Sequence, residues 1–390
     1  MARRLVARLA VVGVGIAAAV LAFELYLRFT DYEPFRDPTG PRHLFERDEV
    51  LGVRLRPGFR GVHDHEEFRV DVRINSQGFR SPEPRQERAG GFRIVSLGDS
   101  FAFGYGVEDD ETYAARLQAR LARSLPGVDA EVVNAGVSSY GTRQMAQLLE
   151  RRGAELAPDL VLATVFGAND MQDNVSAGLT ERGGIAMSPE AAAVVDADGG
   201  LRFAVEYSDA WLWLRFRWLM WKSGMGSLPT PSPEARRWAL PGLEDLARNP
   251  GDAARARWEA TEKWLAELTK VSRELGARLV VIHIPLPFQF DEGEWARSRE
   301  HMGLAAESFE LDAVARKLDA LATRLEFVYL DLLEVFRSEP GSATLYFPLN
   351  KHFTSAGHER VAEAIEALLF ERELIPEDLI PTDLTPEEPR

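Results

Sequence analysis

Four short segments carry the side chains that nucleophilic chemistry requires. They are Gly98-Asp99-Ser100, Asn134-Ala135-Gly136, Gly167-Ala168-Asn169-Asp170, and the loop that ends in His352. A serine hydroxyl is a weak nucleophile until a base removes its proton, and histidine is the commonest such base. Each segment taken alone is also typical of a plain turn or a helix cap. Their order along the chain is what suggests a single site.

The surrounding pattern predicts how these segments come together. Apolar runs predict strands at residues 92–97, 130–134, 159–166, 278–285 and 327–331, and helical runs lie between them. Alternating strands and helices predict a parallel sheet between helical layers. In such a sheet the functional groups gather beyond the carboxyl ends of the strands. Ser100, Gly136 and Asn169 each follow a predicted strand, and His352 lies in the last loop, before a helix that Thr354 caps.

The four segments resemble those of the SGNH hydrolases, also called the GDSL esterase family. The resemblance includes Ala356-Gly357-His358 after His352 and extends from about residue 50 to 370, outside a divergent middle. The stretch Ile74-Asn-Ser-Gln-Gly-Phe-Arg80 is similar to a membrane-anchored branch of that family. The resemblance implies a flavodoxin-like three-layer α/β/α sandwich with a five-stranded parallel sheet.

The same resemblance implies roles for the residues. Ser100 would be the nucleophile and His352 its base. The oxyanion formed during attack needs preorganised donors, which would be the N–H groups of Ser100 and Gly136 and the side-chain amide of Asn169. A glycine at 136 allows close approach of the backbone. The family implies no metal and no cofactor.

One residue departs from the family pattern. An aspartate normally stands two or three residues before the histidine, where this chain has Asn350 and Leu349. An asparagine can orient an imidazole but cannot stabilise its positive charge, and in chymotrypsin-type triads that exchange costs about 10⁴-fold in rate. Three interpretations remain open: a Ser-His dyad in which Asn350 or a backbone carbonyl orients His352, another carboxylate such as Asp331 or Glu359, or a site that now only binds. If the missing carboxylate limits the rate, Asn350→Asp should raise turnover.

Other histidines are weaker candidates. His63-Asp-His65-Glu-Glu67 has the alternate spacing of metal ligands on an extended segment, but no third partner is evident, so we predict no metal. His283 lies in an apolar strand and is expected to be a core residue. His358 lies on the last helix and is expected to be structural.

The N-terminus predicts a membrane anchor. The span from Leu5 to Leu27 is apolar apart from Arg8 and Glu24, and as a helix it would cover roughly 34 Å, enough to cross a bilayer. The arginines Arg3, Arg4 and Arg8 precede it and predict a cytoplasmic N-terminus with the remainder outside. A cleaved signal peptide and a buried soluble helix are the alternatives.

Composition bounds the remaining possibilities. Forty-six basic against 61 acidic residues give a net charge of −15, which argues against nucleic acid as a partner. The absence of cysteine excludes disulfides and thiolate chemistry.

We predict an anchor at 1–30, an extended edge-strand segment at 31–90, a hydrolase domain at 91–372 with an insertion at about 175–250, and a disordered acidic tail at 373–390. In the insertion, Trp211, Leu214, Trp218 and Trp221 share a helical face that packs in a core, contacts a membrane or forms a wall for sugar or acyl groups.

These observations predict a membrane-bound, extracytoplasmic serine esterase. Its substrate would be an acylated small molecule or glycan, with acetyl groups on envelope or exported glycans expected from location and family habit. An O-acyltransferase using the same site is one alternative, and a non-catalytic glycan- or protein-binding module is another. The sequence does not give the oligomeric state.

Overall fold

The computed structural model describes residues 2–29, 40–83, 91–176, 178–200, 202, 205, 208–222, 240, 242–338 and 342–380. The strands in chain order are β1 Phe45–Asp48, β2 Gly52–Leu55, β3 Arg60–Asp64, β4 Arg69–Arg73, β5 Phe92–Leu97, β6 Ala130–Asn134, β7 Leu160–Phe166, β8 Thr180–Arg182, β9 Ile185–Met187, β10 Arg278–Ile284 and β11 Val328–Asp331.

The α-helices in chain order are α1 Ala2–Phe29, α2 Ser100–Phe103, α3 Tyr113–Ser124, α4 Thr142–Leu156, α5 Asp170–Val175, α6 Pro189–Ala197, α7 Asp209–Lys222, α8 Asp252–Glu274, α9 Pro287–Phe290, α10 Glu292–Met302, α11 Ala313–Leu325, α12 Leu332–Arg337 and α13 Ser355–Glu371. Short 3₁₀ turns lie at Asp109–Glu111, Leu243–Leu246, Ala306–Ser308, Ser342–Leu345 and Glu377–Leu379.

A five-stranded parallel sheet in the order β11-β10-β7-β5-β6 forms the centre of the fold. Every residue of β5 and β7 is buried, which explains why both sequences are mainly apolar, because a parallel sheet is covered on both faces. The predicted five-stranded parallel sheet is therefore confirmed. If these five strands are numbered 1 to 5 in chain order, their order in the sheet is 2-1-3-4-5, which is the flavodoxin-like order. Strand β6 is added on one side of β5 and the later strands on the other, so the switch point of the topology lies between β5 and β7.

Amphipathic helices cover the sheet. Helix α3 packs against α13, and α4 packs against α8. Helix α3 buries Tyr113, Leu117 and Leu121, the i+4 positions of its apolar face. Right-handed crossovers place α3 and α4 on opposite faces, because the connection after β5 runs one way along the sheet and the connection after β6 runs the other.

Two small antiparallel hairpins precede the sheet, β1 with β2 and β3 with β4. We expected edge strands in this region, but both hairpins form sheets of their own, separate from the main one. The reason is visible in β4, where Val70 and Val72 are buried while the arginines and aspartate between and beside them are exposed. A strand with one apolar face suits a hairpin that lies on the domain.

The two ends of the chain differ in how they pack. Residues 3–27 of α1 form the one helix in the described ranges that is long and apolar enough to cross a membrane, with a mean hydropathy of 2.4 and no burial across its most apolar stretch. At the other end, Leu374 and Ile375 are buried against the core, so order continues past the predicted start of the tail. Residues 381–390 of that predicted tail lie outside the described residues.

Candidate active site

The turn from β5 into α2 presents Ser100. Gly98 is required there, because a β-carbon would lie 1.9 Å from Thr164 Oγ1 on the neighbouring strand. Asp99 caps α2 by accepting a hydrogen bond from the N–H of Phe101 at 2.9 Å. Ser100 is the first residue of the helix, so its own N–H has no partner within the helix. The turn therefore presents both the hydroxyl and the backbone N–H of Ser100.

The loop before α13 brings His352 to Ser100 across 252 residues of chain, with 2.7 Å between Oγ and Nε2. The other ring nitrogen, Nδ1, lies 3.1 Å from Oδ1 of Asn350. An amide oxygen can only accept, so this contact requires the tautomer with hydrogen on Nδ1. Nε2 is then the acceptor for the Ser100 hydroxyl, which is the state that a general base needs.

The imidazole of His352 lies between two aromatic rings. Its centroid is 4.3 Å from that of Tyr105 and 4.9 Å from that of Phe101. Burial lowers the pKa of His352 to about 3, a hydrogen bond to Asn350 raises it, and the nearby His63 and His65 lower it. His352 is therefore neutral over the whole ordinary pH range.

A residue outside the predicted set lies behind Asn350. The carboxylate of Glu67, in the turn between β3 and β4, accepts hydrogen bonds from the Asn350 side-chain amide at 2.8 Å and from the N–H groups of Asn350 and Leu349 at 2.8 Å each. Glu67 lies 283 residues from Asn350 in sequence. The only signal in the sequence was the His-Asp-His-Glu-Glu stretch, whose spacing suggested metal ligation instead.

The two predicted oxyanion donors beyond Ser100 have partners in this structure. The amide nitrogen of Asn169 donates to Asp173 at 2.8 Å, and Asn169 lines the cavity in front of Ser100. The N–H of Gly136 donates to Asn134 Oδ1 at 3.0 Å. Gly136 also packs on α2, where a β-carbon would lie 2.4 Å from the Phe103 nitrogen. Their oxyanion roles stay predictions, and Gly136 would have to release or share its hydrogen bond.

A group of buried carboxyls supports the floor of the site. Asp99 and Asp170 are fully buried, and one oxygen of each carboxyl has no hydrogen-bond partner among the described residues. Burial raises both pKa values, and the charge of the nearby Asp173 raises them further. Burial also raises the pKa of Asp173 to about 6, against the lowering effect of its hydrogen bond from Asn169.

A cavity of about 340 Å³ opens in front of Ser100 and His352. Its walls include the apolar side chains of Phe166, Leu286 and Leu349. Lys351 also lines it, but its ammonium pairs with Glu294 at 2.6 Å. Two larger depressions, of about 520 and 410 Å³, are lined mainly by charged and polar groups and contain neither Ser100 nor His352.

The other carboxylates considered for His352 are engaged elsewhere. Asp331 accepts from His283 Nδ1 at 2.8 Å and caps α12, because its strand is the neighbour of β10. Glu359 pairs with Arg116 at 2.6 Å and Arg120 at 2.7 Å on α3. The interpretation that either residue replaces the family's aspartate is therefore wrong.

The remaining histidines have structural surroundings. His358 is buried, and its Nδ1 accepts from the Tyr113 N–H at 3.1 Å. His63 is buried against Tyr105 and Phe68, while His65 stacks on Phe68. Within the described ranges no three acidic or histidine side chains converge as metal ligands would.

Several solved structures are similar to this chain at low sequence identity, whereas a search of curated proteins finds no match. Among the solved structures, TesA is 18% identical over 73% of this chain and 99% of its own, with a TM-score of 0.40. A catalytic mutant of Axe2, an acetylxylan esterase from Geobacillus stearothermophilus, is 16% identical over 76% of this chain and 100% of its own, with a TM-score of 0.38. The psychrotrophic esterase EstA from Pseudoalteromonas sp. is 13% identical over 72% and 98%, also with a TM-score of 0.38.

The family assignment rests on a sequence model. The model of the GDSL-like lipase/acylhydrolase family matches residues 96–360, which is more than half of the chain and includes Ser100, Asn169 and His352. The chain therefore belongs to the GDSL-like lipase/acylhydrolase family.

Proposed function

We propose that the protein is a membrane-anchored serine esterase that removes short acyl groups, acetyl above all, from glycans outside the cytoplasm. The observation that carries the esterase proposal is the 2.7 Å contact between Ser100 Oγ and His352 Nε2 at the opening of an apolar cavity. The cavity volume of about 340 Å³ lies at the lower end of ligand pockets and suits a small acyl group.

The proposed reaction has two steps. Ser100 Oγ attacks the ester carbonyl while its proton passes to His352 Nε2, and that proton then leaves with the alcohol as the ester bond breaks. Water next attacks the acyl-enzyme and gives a proton to His352, which passes it to Ser100 Oγ as the acyl–oxygen bond breaks and the acid leaves. Both tetrahedral oxyanions would be stabilised by the Ser100 N–H and the Asn169 amide, with Gly136 as the third predicted donor.

A covalent probe tests this directly. The full-length protein in detergent should react with a serine-directed fluorophosphonate and should hydrolyse a short-chain aryl ester. Ser100→Ala should abolish both, whereas Ser308→Ala, at an exposed serine, should change neither. A wild-type protein that neither labels nor hydrolyses would instead favour a binding module. Transfer of the acyl group to an added glycan, in preference to water, would indicate an acyltransferase.

The anchor proposal rests on contacts at the outer end of α1. Glu24 accepts hydrogen bonds from Ser208 Oγ at 2.8 Å and from the Ala210 N–H at 2.9 Å, so it caps α7. Phe23 packs edge-on against Trp213, with 5.5 Å between the ring centroids. A signal peptidase cut after this point would remove both contacts, and we therefore propose that α1 is retained.

Helix α7 would then lie at the membrane surface beside the anchor. Trp211, Leu214 and Trp218 are 47, 41 and 42% exposed, so this face does not pack in a core. Arg215 lies over the Trp218 ring at 4.8 Å, an arrangement that suits the lipid interface. The side chain of Trp221 lies outside the described residues.

Two measurements test the placement. The intact mass of the purified protein should include residues 2–24, and a mass lacking them would identify a signal peptide. A reporter should be fused after Arg390, because Leu374 and Ile375 belong to the core. A reporter that is active only outside the cytoplasm should be active in this fusion. Activity of a reporter that works only in the cytoplasm would refute the topology.

A further inference from the structure

We propose that Glu67 is a positioning residue for the catalytic base. The site then works through a hydrogen-bonded chain of Ser100, His352, Asn350 and Glu67, in which the negative charge lies one side chain further from the histidine than in a triad. This inference rests on the proposed function. It also assigns a task to a segment that lies outside the residues matched by the family model.

The first step is the orientation of the Asn350 amide. Its oxygen faces His352 Nδ1 at 3.1 Å and the His352 N–H at 2.9 Å, and its nitrogen faces Glu67 at 2.8 Å. Reversing the amide would place a donor against the two His352 donors and an acceptor against a carboxylate. Glu67 and the His352 backbone N–H therefore together fix which end of Asn350 meets the imidazole.

The second step is the tautomer of His352. Because Asn350 presents an acceptor to Nδ1, the ring hydrogen stays on Nδ1 and the lone pair of Nε2 faces Ser100. Without Glu67 the amide keeps only its contact with the His352 backbone N–H, so the reversed orientation becomes less unfavourable, and its donor facing Nδ1 favours the opposite tautomer. That tautomer cannot accept the serine proton.

The third step is charge. When His352 takes the Ser100 proton it becomes an imidazolium, which an uncharged amide stabilises weakly. A carboxylate that accepts from the far end of the same amide polarises it and strengthens the hydrogen bond to Nδ1. No proton moves to Glu67, because the amide between the two groups gives up none.

The hairpin that carries Glu67 is held against the histidine loop. Phe68 packs on Tyr105 and Phe347, with centroids 5.2 and 5.6 Å apart. Phe347 in turn donates its N–H to the carbonyl of His352 at 2.8 Å. The turn between β3 and β4 and the loop at 347–352 therefore form one packed unit, which keeps the Glu67 carboxylate in reach.

The test compares Glu67→Gln with Glu66→Gln, a neighbouring exposed carboxylate, in the full-length protein. Partners that orient metal-bound histidines typically contribute about ten- to a hundredfold, and we expect an effect of the same size on this histidine, so Glu67→Gln should lower kcat by about that factor with KM little changed. Glu66→Gln should leave both constants unchanged. A purely structural role would instead lower the active fraction and leave kcat per labelled site constant.

A spectroscopic measurement decides the point without activity. In protein labelled with ¹⁵N-histidine, the His352 signals are those that disappear in His352→Gln. The wild type should show the Nδ1–H tautomer alone, and Glu67→Leu, which offers no acceptor to the Asn350 amide, should show a mixture or the opposite tautomer. An unchanged tautomer together with an unchanged kcat would overturn the proposal. If the wild type hydrolyses no ester, the proposed function fails, while the tautomer still reports on Glu67.

Discussion

Asn350→Asp tests whether a missing carboxylate limits this site, and the structure alters the outcome expected from sequence. The new carboxylate would face His352 through one oxygen, as in the usual family triad. Its other oxygen would take the place of the nitrogen that now lies 2.8 Å from Glu67. The substitution therefore brings two carboxylates together where a donor and an acceptor now meet.

The size of that repulsion follows from the geometry. Two unit charges about 4 Å apart interact by about 4 kcal/mol at the effective dielectric constant of a protein surface. That energy corresponds to a shift of roughly three pKa units, so one of the two carboxyls takes up a proton near neutral pH. The single variant therefore gains little of the roughly 10⁴-fold that a full carboxylate is worth in the chymotrypsin-type case. We expect a change in kcat of less than about tenfold in either direction.

Combining the substitution with Glu67→Gln should release the gain. A glutamine at position 67 can donate to the new carboxylate at position 350 and leaves that carboxylate charged beside His352. We expect Glu67→Gln alone to be slow, Asn350→Asp alone to be close to wild type, and the double variant to exceed the wild type by about tenfold or more. Glutamine has one side-chain oxygen where glutamate has two, so in the variants with Glu67→Gln one of the two backbone N–H groups that donate to Glu67 loses its acceptor. That loss costs about 1–3 kcal/mol of stability.

Steady-state rates of the four proteins on one aryl ester, normalised to fluorophosphonate-labelled sites, complete the cycle. A large gain in Asn350→Asp alone, with no further effect of Glu67→Gln, would refute the reasoning, because it would mean that residues 67 and 350 do not meet. Strict additivity of the two substitutions would refute it as well.

Two further predictions use the shifted pKa values. Burial lowers the pKa of His352 to about 3, so kcat/KM should stay within about twofold between pH 7 and pH 5. An ordinary histidine would be mostly protonated at pH 5, and a fall in kcat/KM near pH 6.5 would contradict this prediction. Burial raises the pKa of Asp170 in the folded state, so its stabilising contribution is present at acid pH and is lost as pH rises through the folded pKa. Asp170→Asn should therefore raise Tm relative to wild type by more at pH 9 than at pH 5, and equal differences at the two pH values would count against a raised pKa of Asp170.

The sheet was predictable because each of its strands is marked locally. The mainly apolar runs that form β5 and β7 have apolar residues on both faces of the strand, which is typical of a sheet covered on both sides. The amphipathic segments between the strands have the spacing of covering helices. Ser100, Asn169 and His352 could be proposed for a related reason. A parallel sheet brings the carboxyl ends of its strands to one edge, so position in the chain implies position in space.

The partners of those residues were not predictable by the same logic. The sequence does not reveal that the Gly136 N–H donates to the Asn134 side chain, because a hydrogen bond between residues two apart depends on the conformation of the local turn. It also does not reveal which of several acids reaches the histidine loop. Asp331 and Glu359 were nearer in sequence to His352, but strand pairing commits the first to His283 and helix packing commits the second to α3.

The asparagine at 350 and the glutamate at 67 explain each other. Position 350 must offer an acceptor to His352 and, on the same short side chain, a donor to a carboxylate 2.8 Å away. Aspartate provides the acceptor without the donor, and serine has only one polar atom to offer. Glutamine carries both groups but is longer by one methylene, which displaces the amide from a loop where the backbone N–H of residue 350 also binds Glu67. Asparagine satisfies every contact at once. The departure from the family pattern is therefore what the proposed arrangement requires, in which the carboxylate of the site comes from a different part of the chain.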